Sequence, residues 1–173
     1  MYVKTGREHY VVDEIINSRL LYGTKSFIPT YDVKFKKSGN YIMERRKLFS
    51  GYVFVESEIN GIDFYMMVKP FINNSQNVLK LLRYGTDYEG NLSFQVKDSE
   101  KEMYLGLYNE EFCVEISKGL IVGDRIKITK GPLVGHGSII KNINRHKMQA
   151  KVEIEFMGCL REITIELEVV EKL

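Results

Sequence analysis

The stretch KGPLVGHGSII, Lys130–Ile140, sets three glycines, a proline and a lysine just ahead of an apolar run. Residues of this kind can cradle a phosphate. A phosphate loop, however, ends in Gly-Lys-Ser/Thr, because the lysine reaches the β/γ-phosphates and the hydroxyl holds Mg²⁺. Here Ser138 follows Gly137 with no lysine between them. Such a loop also opens a helix whose N-terminal N–H groups bind the anion. SIIKNINRHK carries no apolar stripe at helical spacing. The G-x-G-x-x-G spacing of dinucleotide sites is missing too. The stretch therefore reads as a turn. His9, His136 and His146 have no Cys or Ser partner, and no Asp/Glu spacing suggests a two-carboxylate or metal site. Cys113 and Cys159 stand far apart with no CxxC pattern, as expected of two reduced thiols. The expectation is a binding protein with no cofactor, not an enzyme.

Binding chemistry concentrates in two basic stretches. Between Val33 and Lys47 stand Lys34, Lys36, Lys37, Arg45, Arg46 and Lys47, against Glu44 alone. Between Leu120 and Lys151 stand Arg125, Lys127, Lys130, Lys141, Arg145, Lys147 and Lys151, against Asp124 alone. Val152 to Leu173 reverses the sign, with six Glu against Arg161 and Lys172. Lys and Arg clusters neutralise phosphates and release counterions, and Tyr41, Arg145 and His146 can stack on unpaired bases. A solvated hairpin in the first stretch and a dipolar surface in the second are the plain alternatives.

The whole chain has 173 residues and a net charge of only +2, so any nucleic-acid signal is local. An apolar fraction of 44% suits one packed domain or two small ones. No apolar run approaches the ~18 residues of a membrane span, and MYVKTGREHY lacks the apolar core of a signal peptide. Partners in a membrane are not expected.

The elements that must position these residues follow two patterns. Residues 1–109 alternate strands and helices. Tyr2-Val3-Lys4 reads as a strand. Thr5 and Glu8 form a capping box, ahead of a helix with Val11/Ile15 and Val12/Ile16/Leu20 on one face. Leu48–Glu56 (LFSGYVFVE) reads as a continuous strand. GIDFYMMVKP reads as a helix stopped by Pro70, and NVLKLLRYG as a strand. Ser99/Glu102 caps a third helix. This order suits an α+β, ferredoxin-like domain with helices on one face of a sheet. Residues 110–119 turn acidic and polar, as a linker would. From 120 to 173 the period becomes two: Ala150, Val152, Ile154 and Phe156 face inward, then Ile163, Ile165 and Leu167. Short alternating strands in so few residues suit a small, SH3-like β-barrel, with Lys130–Ile140 joining two of its strands.

GDRIKI, KGPLVG and an alternating strand ending in FMG resemble a KOW domain. RKLFSGYVFVE resembles the corresponding strand of a NusG N-terminal domain. Together, in order, they cover nearly the whole chain and resemble the NusG family of transcription factors. TGRE, SKGLIVGD and NRHKMQAKVEIEFMG resemble the LoaP-type antiterminators within it. The resemblance implies a cytoplasmic, monomeric protein that binds bacterial RNA polymerase through its N-terminal domain, at Tyr2, Phe49, Tyr52 and Phe54. Phe49 is the leading candidate, although strict alternation puts it opposite Tyr52 and Phe54. The basic hairpin (Lys34, Lys36, Lys37, Arg45, Arg46, Lys47) would meet non-template DNA. Lys130, Lys141, Arg145, His146, Lys147 and Lys151 would meet structured leader RNA. The rival within the family is a general elongation factor whose barrel docks Rho or a ribosomal protein through an apolar tip at Leu133 and Val134. A ribosomal KOW protein would leave the N-terminal half unexplained. Three departures stand out: Ser50 in place of Pro, Cys159 in place of Arg, and His136-Gly137 where an acidic residue is usual. The chain also starts close to K-T-G, so either its first strand is short or the true start lies upstream.

Overall fold

The computed structural model describes residues 1–59, 61–86, 92–122 and 125–170. The described residues form an α+β structure with three α-helices, α1 (Glu8–Ile16), α2 (Gly61–Asn74) and α3 (Asp98–Leu107). Two compact units partition it: Met1–Pro29 with Phe49–Lys97, and Thr30–Leu48 with Asp98–Leu173.

In the first unit the described strands pair two by two. Tyr2–Val3 runs antiparallel to Val78–Lys80, Lys25–Phe27 to Phe54–Glu56, and Gly85–Thr86 to Leu92–Ser93. The core joins Met1, Val3, Val53 and Val78 to Val11 and Ile15 of α1 and Val68 and Phe71 of α2. Burying each such side chain stabilises the unit by about 1.5–3 kcal/mol relative to exposure.

Several local expectations give way to tertiary contacts here. The capping box does not form: Arg7 is the N-cap of α1, with no side-chain cap bond. Glu8 instead turns inward, fully buried, and its carboxylate accepts the Gly51 N–H at 2.7 Å. A buried carboxylate must find donors, and the loop supplies one. The helix stops at Ile16, leaving Ile16 and Leu20 exposed instead of continuing the Val12 face. Pro70 lies inside α2, which continues to Asn74. A mid-helix proline loses a backbone bond, and burial of Val68 and Phe71 on either side offsets it. The expected strands shorten to Phe54–Glu56 and Val78–Lys80. Gly51, at φ +82°, breaks Leu48–Glu56 before its last turn of chain becomes strand.

The second unit holds the basic hairpin, Thr30–Lys37 against Asn40–Lys47, and a five-stranded sheet. The sheet runs Arg125–Lys130, Ser117–Val122, Cys159–Val170, Gln149–Phe156, Ile140–Asn144. Of the residues read as inward, Ala150, Val152, Ile154, Phe156, Ile165 and Leu167 are buried, while Ile163 is only half-buried. The expected linker is structured. Cys113–Val114 pairs in parallel with Thr30–Tyr31, Ser117 begins a strand, and Cys113, Val114 and Ser117 are buried. Lys130–Ile140 is a turn, closed by a 3₁₀ segment, Gly137–Ile139. Gly131, at φ +90°, lies so close that a Cβ would sit 2.7 Å from the Ser117 Cα, so only glycine fits. Ser117 Oγ accepts the Leu133 N–H at 3.1 Å, and Leu133 is fully buried. The expected apolar tip is therefore half core.

α3 opens at Asp98, so Ser99 lies inside the helix instead of capping it, and Glu100, the third residue of the helix, is buried. Its Oε1 accepts the Met157 N–H at 3.0 Å and lies 2.9 Å from the Tyr104 hydroxyl oxygen. That hydroxyl also lies 2.8 Å from the Glu155 carbonyl. One phenolic proton cannot serve both acceptors. The Tyr104 hydroxyl therefore donates to the Glu100 carboxyl or to the Glu155 carbonyl, one at a time. Burial pushes the Glu100 carboxyl above its ordinary value.

Glu8→Ala strands the Gly51 N–H and should cost roughly 1–3 kcal/mol in urea unfolding. A raised folded-state value means that Glu100 contributes most below its ordinary 4.5, and that this contribution is lost as pH rises through the raised value. Glu100→Gln, which cannot ionise, should match wild type in thermal unfolding below pH 4.5 and exceed it by a few degrees at neutral pH.

Candidate functional site

Within the second unit the sheet register sets the stage. Lys130 lies opposite Lys118, Lys118 beside Glu168, Gln149 opposite Glu166, and Asn144 opposite Gln149. Lys130 and the Arg145–Met148 turn thus lie at the same end of the sheet. In the strand Cys159–Val170, Ile165 and Leu167 point to the core, so alternation turns Glu166 and Glu168 to the other face. The basic hairpin packs over that face. Lys34 Nζ lies 3.1 Å from Glu168 Oε1, and Lys118 Nζ lies 3.3 Å from Glu168 Oε2. The two ammonium groups, Lys34 first, hold the Glu168 carboxyl below its usual range.

The result is a groove of about 180 Å³. Lys34, Lys36 and Tyr41 of the hairpin line one side, His146, Lys147 and Met148 of the turn the other, and Glu166 and Glu168 also border it. Lys34 sits over the Tyr41 ring, 4.8 Å from its centroid. The turn is preset by Asn144, whose Oδ1 accepts the Lys147 N–H at 2.9 Å, and by Met148 at φ +53°. Glu166 is 6% exposed, and its Oε1 accepts the Gln149 side-chain N–H at 3.2 Å. Burial pushes its carboxyl upward.

Thus Lys34 and Lys36, read as part of one site, and His146 and Lys147, read as part of another, line one groove. The remaining cations are differently placed. Arg45 bonds Asp32 and Glu111, and Arg46 bonds Glu44. Lys141 pairs with Glu153 at 2.8 Å and Lys151 with Glu162 at 2.7 Å, both along the sheet. Lys37 is exposed beside the Ser38-Gly39 turn, Arg145 is exposed at its own turn, and Lys47 is half-buried with a partner. Exposed pairs of this kind are worth about 0–1 kcal/mol. Glu166, Glu168, Lys118 and Met148 were not singled out by sequence. Alternation alone marks the two glutamates as facing away from the core, but nothing local shows that a hairpin covers them.

In the first unit the aromatic candidates form two pairs. Tyr2 and Tyr52 are bridged through their backbones, with ring centroids 5.4 Å apart. Phe49 and Phe54 stack at 6.2 Å, and Phe27, not anticipated, meets Phe54 at 5.6 Å. Alternation had put Phe49 on the opposite face. The positive φ of Gly51 breaks the period and brings the two rings together. Phe49 is buried, while Tyr2, Tyr52, Phe54 and Phe27 remain half-exposed. Phe49 is thus the support and the other four the accessible rings.

The described residues thus present an aromatic patch on one unit and a basic, aromatic-lined groove on the other. A family model described as "Transcription termination factor nusG" matches residues 1–104. The chain belongs to the NusG family. It is similar to the transcription termination/antitermination protein NusG of Deinococcus radiodurans, 26% identical over 94% of this chain and 90% of that protein. The Pseudomonas aeruginosa protein of the same name is 21% identical over 98% and 94%. Among the described residues no helix is long and apolar enough to cross a membrane.

Glu168 stabilises hairpin docking above the ordinary carboxylate value of 4.5, and this is lost as pH falls through its depressed value. Glu168→Gln should therefore lower stability by about 0.5 kcal/mol at neutral pH. It should also speed amide exchange across Thr30–Lys47. Both differences should close in acid, where wild type protonates, and in high salt.

Proposed function

We propose that this NusG-family protein is a specialised, processive antitermination factor of the LoaP type. In this reading residues 1–109 are a ferredoxin-like N-terminal domain and residues 120–173 an SH3-like KOW barrel. Tyr2, Tyr52 and Phe54, supported by Phe49, receive bacterial RNA polymerase, since aromatic anchors often dominate an interface. The groove and its rim would read structured leader RNA, while Lys37, Arg45, Arg46 and Lys47 of the hairpin would meet non-template DNA. The protein works as a binding factor in the cytoplasm, without a cofactor, and as a monomer. The observation that carries this reading is the convergence of Lys34, Lys36, Tyr41, His146 and Lys147 on one groove. A general elongation factor docking Rho or a ribosomal protein would use an apolar tip at Leu133 and Val134. Burial of Leu133 leaves Val134 alone to serve it, 49% exposed, which favours the RNA reading.

The test is single-round transcription by a matched bacterial polymerase through an intrinsic terminator, on templates with and without the leader of the neighbouring operon. Read-through should rise only with the leader. Arg145→Ala with Lys147→Ala should lower it several-fold, more steeply as salt rises. Small, equal effects on both templates would leave a general NusG factor.

A further inference from the structure

The groove in the second unit has a polarity that basic character alone does not explain. Its rim is cationic, yet the carboxyl of Glu166 beneath that rim is nearly buried. Glu168 is neutralised by Lys34 and Lys118, whereas Glu166 has only the Gln149 amide within hydrogen-bonding distance among the described residues. Arg46 acts on Glu166 electrostatically from the hairpin, and a nearly buried carboxyl favours hydrogen-bond donors at its remaining lone pairs. Each carboxylate oxygen can accept two hydrogen bonds, and Gln149 occupies one of the four positions.

A fitting ligand must therefore present hydrogen-bond donors inward and negative charge outward. A carboxylate or bare phosphate would be repelled by Glu166. A lysine or arginine side chain would be repelled by Lys36 and Lys147. A nucleotide meets both conditions. Among the common bases only guanine carries two adjacent donors, N1–H and N2–H, on its Watson–Crick edge. Adenine and cytosine present one donor beside an acceptor, and uracil sets N3–H between two carbonyls. Tyr41, held by Lys34 over its ring, and the Met148 side chain offer stacking and apolar contact to a planar base. The volume, about 180 Å³, admits one base and excludes a paired one. Lys36 and Lys147 flank it, with Lys130 and Lys118 further along the same end of the sheet, a row suited to successive phosphates of a strand.

We infer that the groove between the basic hairpin and the Arg145–Met148 turn captures one unpaired guanine of an RNA strand, with Glu166 reading its N1–H and N2–H. This rests on the RNA-binding reading above and adds a base preference to it. Gln149 positions the carboxylate, Tyr41 stacks, and Lys36 and Lys147 hold the flanking phosphates.

The test is fluorescence anisotropy of the full chain with labelled heptamers: uridines around a central guanosine, adenosine or inosine, and the guanosine heptamer as DNA. The guanosine RNA should bind about tenfold more tightly than the adenosine RNA, as a bidentate contact predicts, with inosine, lacking the N2 amino group, in between. Glu166→Gln, nearly isosteric, should abolish the preference while retaining adenosine-RNA binding. Tyr41→Leu, at an exposed position, should weaken all three. Equal binding of guanosine and adenosine, or a preference that survives Glu166→Gln, overturns the pocket. Equal binding of the DNA heptamer overturns the assignment to RNA, and competition by GMP as strong as by the heptamer overturns the strand in favour of a free nucleotide. Leader RNA in the same assay separates the two readings. If it binds and the heptamers show no preference, only the base pocket fails. If a guanosine preference appears without leader binding, only the antitermination reading fails.

Discussion

The strand Cys159–Val170 must satisfy two faces at once, and the second unit is arranged around that demand. Ile165 and Leu167 belong to the core, so the period of two sends Glu166 and Glu168 to the opposite face. Two adjacent carboxylates on a covered face repel one another and lose hydration. Lys118 comes from the parallel neighbour in the sheet, and Lys34 from a hairpin 134 residues earlier in the chain. The hairpin is thus held over the sheet by charge compensation as well as by apolar contact. Its position, and so the width of the groove, follows from where Glu168 stands.

The first unit shows the same logic with a backbone donor. Glu8, buried in the first turn of α1, reaches Gly51 in the loop ahead of Phe54–Glu56. That bond fixes the bend at which Gly51 takes its positive φ. The bend then decides that Phe49 and Phe54 stack instead of facing apart, and that Tyr52 meets Tyr2. One carboxylate therefore sets the arrangement of the aromatic patch, without belonging to it.

Much of this was legible in the sequence wherever one period dominated. The run Ala150–Phe156 alternates, and every inward residue is buried. The helical spacing of Val11 and Ile15 placed both in the core. What local pattern could not convey were the partners. Thr5 and Glu8 have capping-box spacing, but Glu8 gains more from the distant Gly51 N–H than from a helix end. The stretch 110–119 looks like a linker because Glu110, Glu111 and Glu115 dominate its text. Its two-residue pairing with Thr30–Tyr31 is too short to leave a periodic trace. Among the candidate cations, composition identified the basic stretches, while pairing with Glu111, Glu153 and Glu162 distinguishes those already engaged.

Contacts and chain order also divide the protein differently. By order, the basic hairpin lies within the first hundred residues, inside the stretch matched by the family model. By contact, Thr30–Leu48 belongs with Asp98–Leu173. A ligand seated in the groove consequently touches residues from both ends of the sequence: lysines and a tyrosine from the hairpin, a turn and a carboxylate from the sheet. Neither part alone has the required polarity. The hairpin without the sheet is a cationic surface with no acceptor beneath it, and the sheet without the hairpin exposes two carboxylates to water, where they can no longer discriminate. Selectivity of the kind a buried acceptor confers depends on excluding water from it, and here that exclusion is the work of a segment far away in sequence.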